Sequence, residues 1–335
     1  MKIKKNNILT FLEVPLVIIS LLLVFFSLKE FNIWYQITSV LSMDTTVPYD
    51  AILLADLYFE GHPHFTRISL MYIFYGASKL FSLDVFILFN YIMPLFVFMI
   101  YKYMKSILEY SNTLNLIFIL LFLEMLSIFM NGRIIFSILG NTMLLYLLYV
   151  YEYRNLRVSK IKLLVTLFFA LWFISVSSGT FMVGLVAIFN FFIIKIMTKL
   201  PKINRKLLYI LLGFLLLIIV ISPLLTIFIT KNLNYFDGSI EKMMGHGFGH
   251  YIFDFIIPII LLLFLLIYIL IKLFKKNTLL ILPLSMMISS LIIGVFGYSS
   301  FLSGISSFII FIFFFKYKNK INYQLELNRE KNIIS

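Results

Sequence analysis

The chain has no cysteine, which removes disulfides, thiolate metal sites and a cysteine nucleophile from consideration. Charge is scarce as well: Asp, Glu, Lys and Arg make up 13% of the residues, about half the share of an ordinary soluble domain. Proline is rare, and no soluble domain, repeat array or low-complexity linker is visible along the 335 residues. What fills the space is apolar, at 62% of the chain. So little polar surface cannot keep a globule of this size in water. Recurrent apolar runs of about 20 residues point to a bilayer instead. The net charge is +13. In a soluble protein that would suggest nucleic acid, but here the basic residues read as topogenic marks of cytoplasmic loops, and no nucleic acid partner is expected.

Apolar length gives ten expected spans: 8–28, 84–104, 113–130, 134–151, 163–177, 180–197, 207–229, 254–273, 279–296 and 301–315. The first lacks a small-residue cleavage site and reads as a retained signal anchor. The segment 68–81 is apolar but short. About 14 helical residues rise roughly 21 Å, too little to cross comfortably, so it reads as a re-entrant or interfacial helix. With the N-terminus inside, all basic residues except Lys29, Arg67, Lys79, Arg133, Lys231 and Lys242 fall in cytoplasmic segments. Making 68–81 a full span would invert that distribution. The expected fold is therefore all-α and polytopic. A single transmembrane domain covers 1–320, with long outer loops at 29–66 and 230–253 and a cytoplasmic tail at 321–335. Both termini are cytoplasmic, in a bacterial cytoplasmic membrane.

Titratable groups suited to acid–base work concentrate on the outer side. All four histidines, His62, His64, His246 and His250, lie in the two outer loops, and nine of the fifteen acids lie on the outer side. In the first loop, Tyr49 to Glu60 has the pattern of a short surface helix, and Asp50 is either its cap or a catalytic base. His62-Pro63-His64 lacks a third ligand, so no metal site is expected. In the second loop, glycines flank His246 and allow backbone to approach a ligand closely. There Lys242 is placed to contact an anion and His246 to act as a base.

Arg133 follows Asn131-Gly132 and opens a span. An arginine at membrane depth costs about 2.5–3.5 kcal/mol on insertion scales and normally has a partner or a ligand. Arg133, Ser137 and Gly140/Asn141 share one helical face by their spacing. Glu124, Ser127 and Asn131 share another across the turn. Glu124–Arg133 is then a structural pair, or Arg133 clamps an anion such as a pyrophosphate, which suits its planar fork.

These pieces resemble the bacterial polysaccharide polymerases of the Wzy and EpsG type, over nearly the whole chain. The matching parts are the long first outer loop, the short helix Ile68–Phe81 and the turn Phe129-Met-Asn-Gly-Arg133. The Ser-rich turn Ser175-Val-Ser-Ser-Gly-Thr180 and the second loop, with Tyr235 and Met244-Gly-His-Gly-Phe-Gly-His250, complete the set. The chain departs from the EpsG pattern in having Arg133-Ile134 in place of Arg-Gln and Ser178 where a histidine is common. The resemblance implies a polymerase that joins undecaprenyl-pyrophosphate-linked repeat units on the outer membrane face, as in O-antigen, capsule or exopolysaccharide synthesis. It implies Arg133 and Arg67 on the pyrophosphate, with His246 or His250 as base and Asp50 as the competing base; Lys242 and Glu124 are further candidates for substrate binding. No nucleotide or redox cofactor is needed. Partners would be the lipid-linked glycans, the bilayer and other membrane proteins of polysaccharide assembly.

Two other readings share these features. A GT-C-type glycosyltransferase, which adds one sugar from a polyprenyl phosphate donor, would use a similar acidic first loop and a GT-C-like helical architecture. A flippase for lipid-linked sugars would carry inverted repeats and midplane polar groups, neither of which is visible in the sequence.

Overall fold

The computed structural model describes residues 53–60, 65–83, 85–108, 133–153, 158–199, 237–244, 281–294 and 300–311, with positions 219, 222, 226, 230, 233, 234 and 297. Among the described residues there are helices and no strands. In chain order the helices are α1 (Leu54–Phe59), α2 (Phe65–Phe81), α3 (Val85–Leu108), α4 (Arg133–Tyr153), α5 (Lys160–Ser175), α6 (Ser178–Lys199), α7 (Ile240–Met244) and α8 (Ile281–Gly294). A further helix, α9, covers Ser300–Phe311. Helices α3 to α6, α8 and α9 fall on the expected spans 84–104, 134–151, 163–177, 180–197, 279–296 and 301–315. One of them, over Ile134–Glu152, is long and apolar enough to cross a membrane by length and composition. The apolar stretches Gly179–Phe192, Ile281–Leu291 and Ser300–Phe311 are shorter. The expected spans 8–28, 113–130 and 254–273, nearly all of 207–229 and the tail 321–335 lie outside the described residues.

The short helix expected over 68–81 is present as α2, beginning three residues earlier. It stops because Ser82 turns into the left-handed region at φ 53°. That lets Leu83 N–H donate to the Ser78 carbonyl at 3.0 Å, a closure that satisfies one of the carbonyls left open at a helix end. Of the expected surface helix over Tyr49–Glu60, the described part is α1, which buries none of its residues. Its N-cap is Leu53, with no side-chain cap hydrogen bond. A sharper signal starts α7: Asp237 and Gly238 both have positive φ, and Lys242 N–H donates to the Ser239 hydroxyl at 3.2 Å, a serine N-cap.

Helix α4 is the centre of the bundle and packs against α3, α5, α6 and α8. Apart from half-buried Leu147, every residue from Ile134 to Val150 is buried. Rings of Phe74, Phe96, Phe136 and Phe173 meet where α2, α3, α4 and α5 come together, in tilted and edge-on pairs. The backbones come close where side chains are smallest. A Cβ added at Gly140 of α4 would lie 2.7 Å from the Ile174 backbone nitrogen and 3.0 Å from the Ala170 carbonyl of α5. One added at Gly184 of α6 would meet Ile174 at 2.9 Å and Leu144 at 3.4 Å. Ile174 is thus a wedge between two glycines. Gly304 of α9 rests in the same way on Ser290 of α8. Close approach through small residues is how helices pack where water provides no drive to associate.

Polar side chains inside the bundle are mostly satisfied by their own helix. The hydroxyls of Ser285, Ser289, Ser290, Ser303 and Ser307 each donate to a carbonyl three or four residues back. A bond that crosses between helices is that of Asn190 of α6, which donates to the Ser289 hydroxyl of α8 at 3.0 Å.

On its outer side α5 exposes Ile161, Leu164, Val165, Phe168 and Leu171. Their spacing of three and four residues makes one continuous apolar face. Lys160 and Lys162 lie exposed at its start.

Two glycines give opposite expectations. Gly304→Val drives a branched side chain into Ser290 and should cost about 1–3 kcal/mol, as overpacking does. Gly76 has nothing within 4 Å of an added Cβ, so Gly76→Ala should gain up to about 1 kcal/mol by helix propensity. Thermal unfolding of the two variants in detergent should move in opposite directions from the parent. A loss in both would contradict the packing described at Gly304 and Gly76.

Candidate functional site

The direction of each helix decides which polar residues meet. Only Val176 and Ser177 separate α5 from α6, so these two helices run antiparallel. Pairing of Phe96 with Phe136 and of Tyr103 with Tyr146 makes α3 and α4 parallel. Contact of Gly140 with Ile174, and of Gly184 with both Ile174 and Leu144, makes α4 and α6 parallel, with α5 antiparallel to each. Helix α8 runs against α6, because Asn190 meets Ser289 while Gly179 meets Ile293. One end of the bundle therefore collects the start of α4 at Arg133, the end of α5, the start of α6, the end of α8 and the start of α9.

Helix α2 is fastened to that same end. The Thr66 hydroxyl donates to the Ser175 carbonyl at the last residue of α5, across 109 positions of sequence. That bond answers one of the carbonyls a helix C-terminus leaves open. It sets the start of α2 beside the Ser-rich turn, one residue before Arg67. Arg67 is 2% exposed and one of the largest fully buried side chains, and it is held by interactions of its own. A buried guanidinium is costly unless it is paired, hydrogen-bonded or liganded.

Four neutral side chains at this end are buried yet make no hydrogen bond: Ser137 and Asn141 on α4, Thr180 on α6 and Ser300 on α9. For Asn141 this is true of both the amide nitrogen and the amide oxygen. Register brings three of them together. Leu144 of α4 meets Gly184 of α6. One turn back along these parallel helices sets Asn141 level with Thr180, and one more sets Ser137 level with the turn before α6. Ser137, Asn141 and Leu144 share a helical face, as do Thr180 and Gly184. Ser300 lies beyond, its hydroxyl packed on Gly179. Leaving a buried polar group unsatisfied costs about 1–3 kcal/mol, and the bundle elsewhere avoids it by bonding serines to their own carbonyls.

The residues singled out in the sequence divide sharply. Arg67 and the Ser175–Thr180 turn are brought together, and Arg133 opens α4 at the same end. Lys242 lies on α7, exposed and paired with Asp237 at 3.0 Å. Asp50, Glu124, His246 and His250 lie outside the described residues. Among the described residues no group of three His, Cys, Asp or Glu is arranged to hold a metal. Thr66 and Ser300 were not singled out by the sequence. Ser300 had a faint signal, a serine at the head of an apolar run just after Gly297. Thr66 had none, because its partner is a backbone carbonyl far away in sequence.

Thr66→Val removes the tie between α2 and α5 while keeping the shape of the side chain. It should cost about 0.5–1.5 kcal/mol and speed amide exchange through the first turns of α2 more than in α4. Unchanged exchange in α2 would mean that the bond does not hold the helix. Comparison with known protein families, with curated proteins and with solved structures finds no match to this chain.

Proposed function

We propose that the protein is a polytopic membrane enzyme of about ten spans that joins lipid-linked oligosaccharide repeat units into a surface polysaccharide. Its working face is the non-cytoplasmic side of a bacterial cytoplasmic membrane. The membrane part of this reading is supported by the helix Ile134–Glu152, which has the length and composition to cross. It is supported also by the apolar face of α5, which exposes far more hydrophobic surface than a soluble helix does. Small-residue helix contacts and back-bonded serines are further traits of bundles in lipid.

The observation that carries the enzymatic reading is the buried Arg67 beside the Ser175 turn, at the end of the bundle where Arg133 opens α4. Repeat-unit transfer needs a cation more than it needs a general acid. The acceptor sugar hydroxyl attacks the anomeric carbon of the donor glycan. The bond from that carbon to the diphosphate oxygen breaks, and the diphosphate leaves with the electron pair. Guanidinium groups stabilise that developing charge through paired N–H donors. The hydroxyl proton passes to a base, for which His246, His250 and Asp50 are the candidates. The resemblance to the Wzy and EpsG type favours polymerisation over other anion chemistry at such a site.

The test is a gel of surface polysaccharide and lipid-linked glycans from cells that lack the gene or carry Arg67→Ala. Deletion should abolish the ladder and leave single repeat units on lipid. Arg67→Ala should reduce polymer about 30-fold or more, as expected when about 2–5 kcal/mol is lost with a buried charged contact, at an unchanged membrane level of the protein. Arg67→Lys should recover part of it. Truncated units lacking one sugar would make the protein a single-sugar transferase, and an unchanged ladder in the deletion strain would end the glycan reading.

A further inference from the structure

The start of α6 has a neighbourhood unlike the rest of the bundle. Helix α6 is 22 residues long, and its first turn is Ser178-Gly179-Thr180. The first amides of a helix have no partner within it and carry the positive end of its dipole. Thr180 belongs to that first turn, which the contact of Leu144 with Gly184 sets level with Asn141 on α4. Ser137, Asn141 and Thr180 are fully buried, and their polar atoms take no hydrogen bond. Each can donate: two hydroxyls and an amide NH₂. The N-terminal ends of α4 and α6 put the positive poles of two helix dipoles at this end, which favours an anion, and an apolar ligand would leave every donor unsatisfied.

We infer that the α6 N-terminus, with Thr180, Ser137 and Asn141, is a binding site for the phosphoryl oxygens of a diphosphate. This deepens the proposed function and rests on it for the source of the ligand, the diphosphate of a lipid-linked glycan. Neutral donors suit that use. They hold phosphoryl oxygens in place without adding a charge that would retain the diphosphate after it has left the sugar.

The experiment uses the purified full chain in vesicles, with two probes: inorganic pyrophosphate, and a short polyprenyl diphosphate carried in the bilayer. Binding is read by calorimetry and by the shift in unfolding temperature. The parent should bind at least one probe. Asn141→Asp keeps the shape of the side chain and adds a like charge, so it should weaken binding about 100-fold or more. Asn141→Leu should weaken it about 10-fold and raise the unfolding temperature of the ligand-free protein, since it removes a buried unsatisfied amide. A purely structural asparagine would instead lower that temperature. Asn141-dependent binding of both probes assigns the site to the diphosphate itself, and of the lipid probe alone to the lipid-linked form. Binding of both probes by Asn141→Asp at parental affinity, or no binding by the parent, overturns the inference. The two ideas fail separately. A normal ladder in the deletion strain with Asn141-dependent binding ends the polymerase and keeps the site. A ladder lost on deletion but normal in Asn141→Asp does the reverse.

Discussion

Ile174 sits between Gly140 and Gly184, and the arrangement of the central helices depends on that wedge. A side chain at either glycine would push α5 away from α4 or from α6. The turn Val176-Ser177, which is tied to α5, would then move with it. So would Thr66, through its bond to Ser175, and with Thr66 the buried Arg67. Packing at the last turn of α5 thereby fixes where α2 is fastened. Because interiors are close-packed and yield little, two absent methyl groups beside Ile174 can set the place of a neighbouring helix.

Polar groups in the bundle follow two patterns. Most serines return their proton to their own helix and so enter the core at little cost. Asn141, Ser137, Thr180 and Ser300 do not. The contrast matters more than the number, because the same chain shows how easily a hydroxyl can be satisfied locally. Unsatisfied groups that register sets at one end of the bundle are the ground on which the binding site is proposed.

Much of the helical layout was legible in the sequence. Apolar runs separated by basic or Gly- and Ser-containing turns placed six of the helices, and the length of 68–81 set that segment apart from the spans. Arg133 and the Ser175–Thr180 turn were also visible, because an arginine opening an apolar run and a serine cluster breaking one are both local patterns. Long-range geometry was not. Nothing local predicts that Thr66 answers the Ser175 carbonyl, or that Asn141 and Thr180 come level. The second arises from the parallel course of α4 and α6, seen where Gly184 meets Leu144 and Tyr151 meets Phe192. Asn141 could be placed on a helical face, yet its lack of a partner depends on what stands opposite. The loop histidines and Asp50 stood out by chemistry alone and remain candidates on that ground.

The bond between Asn190 and Ser289 joins residues 99 positions apart. Its consequence belongs to the birth of the chain. Helices α5 and α6 are linked by two residues and can pair as soon as both have left the ribosome, with almost no loop to close. Helix α8 is made about 80 residues later, which at 5–20 residues per second is several seconds or more. Through that interval Asn190 is without the Ser289 hydroxyl that it bonds in the finished bundle, whereas α5 and α6 have had each other from the start.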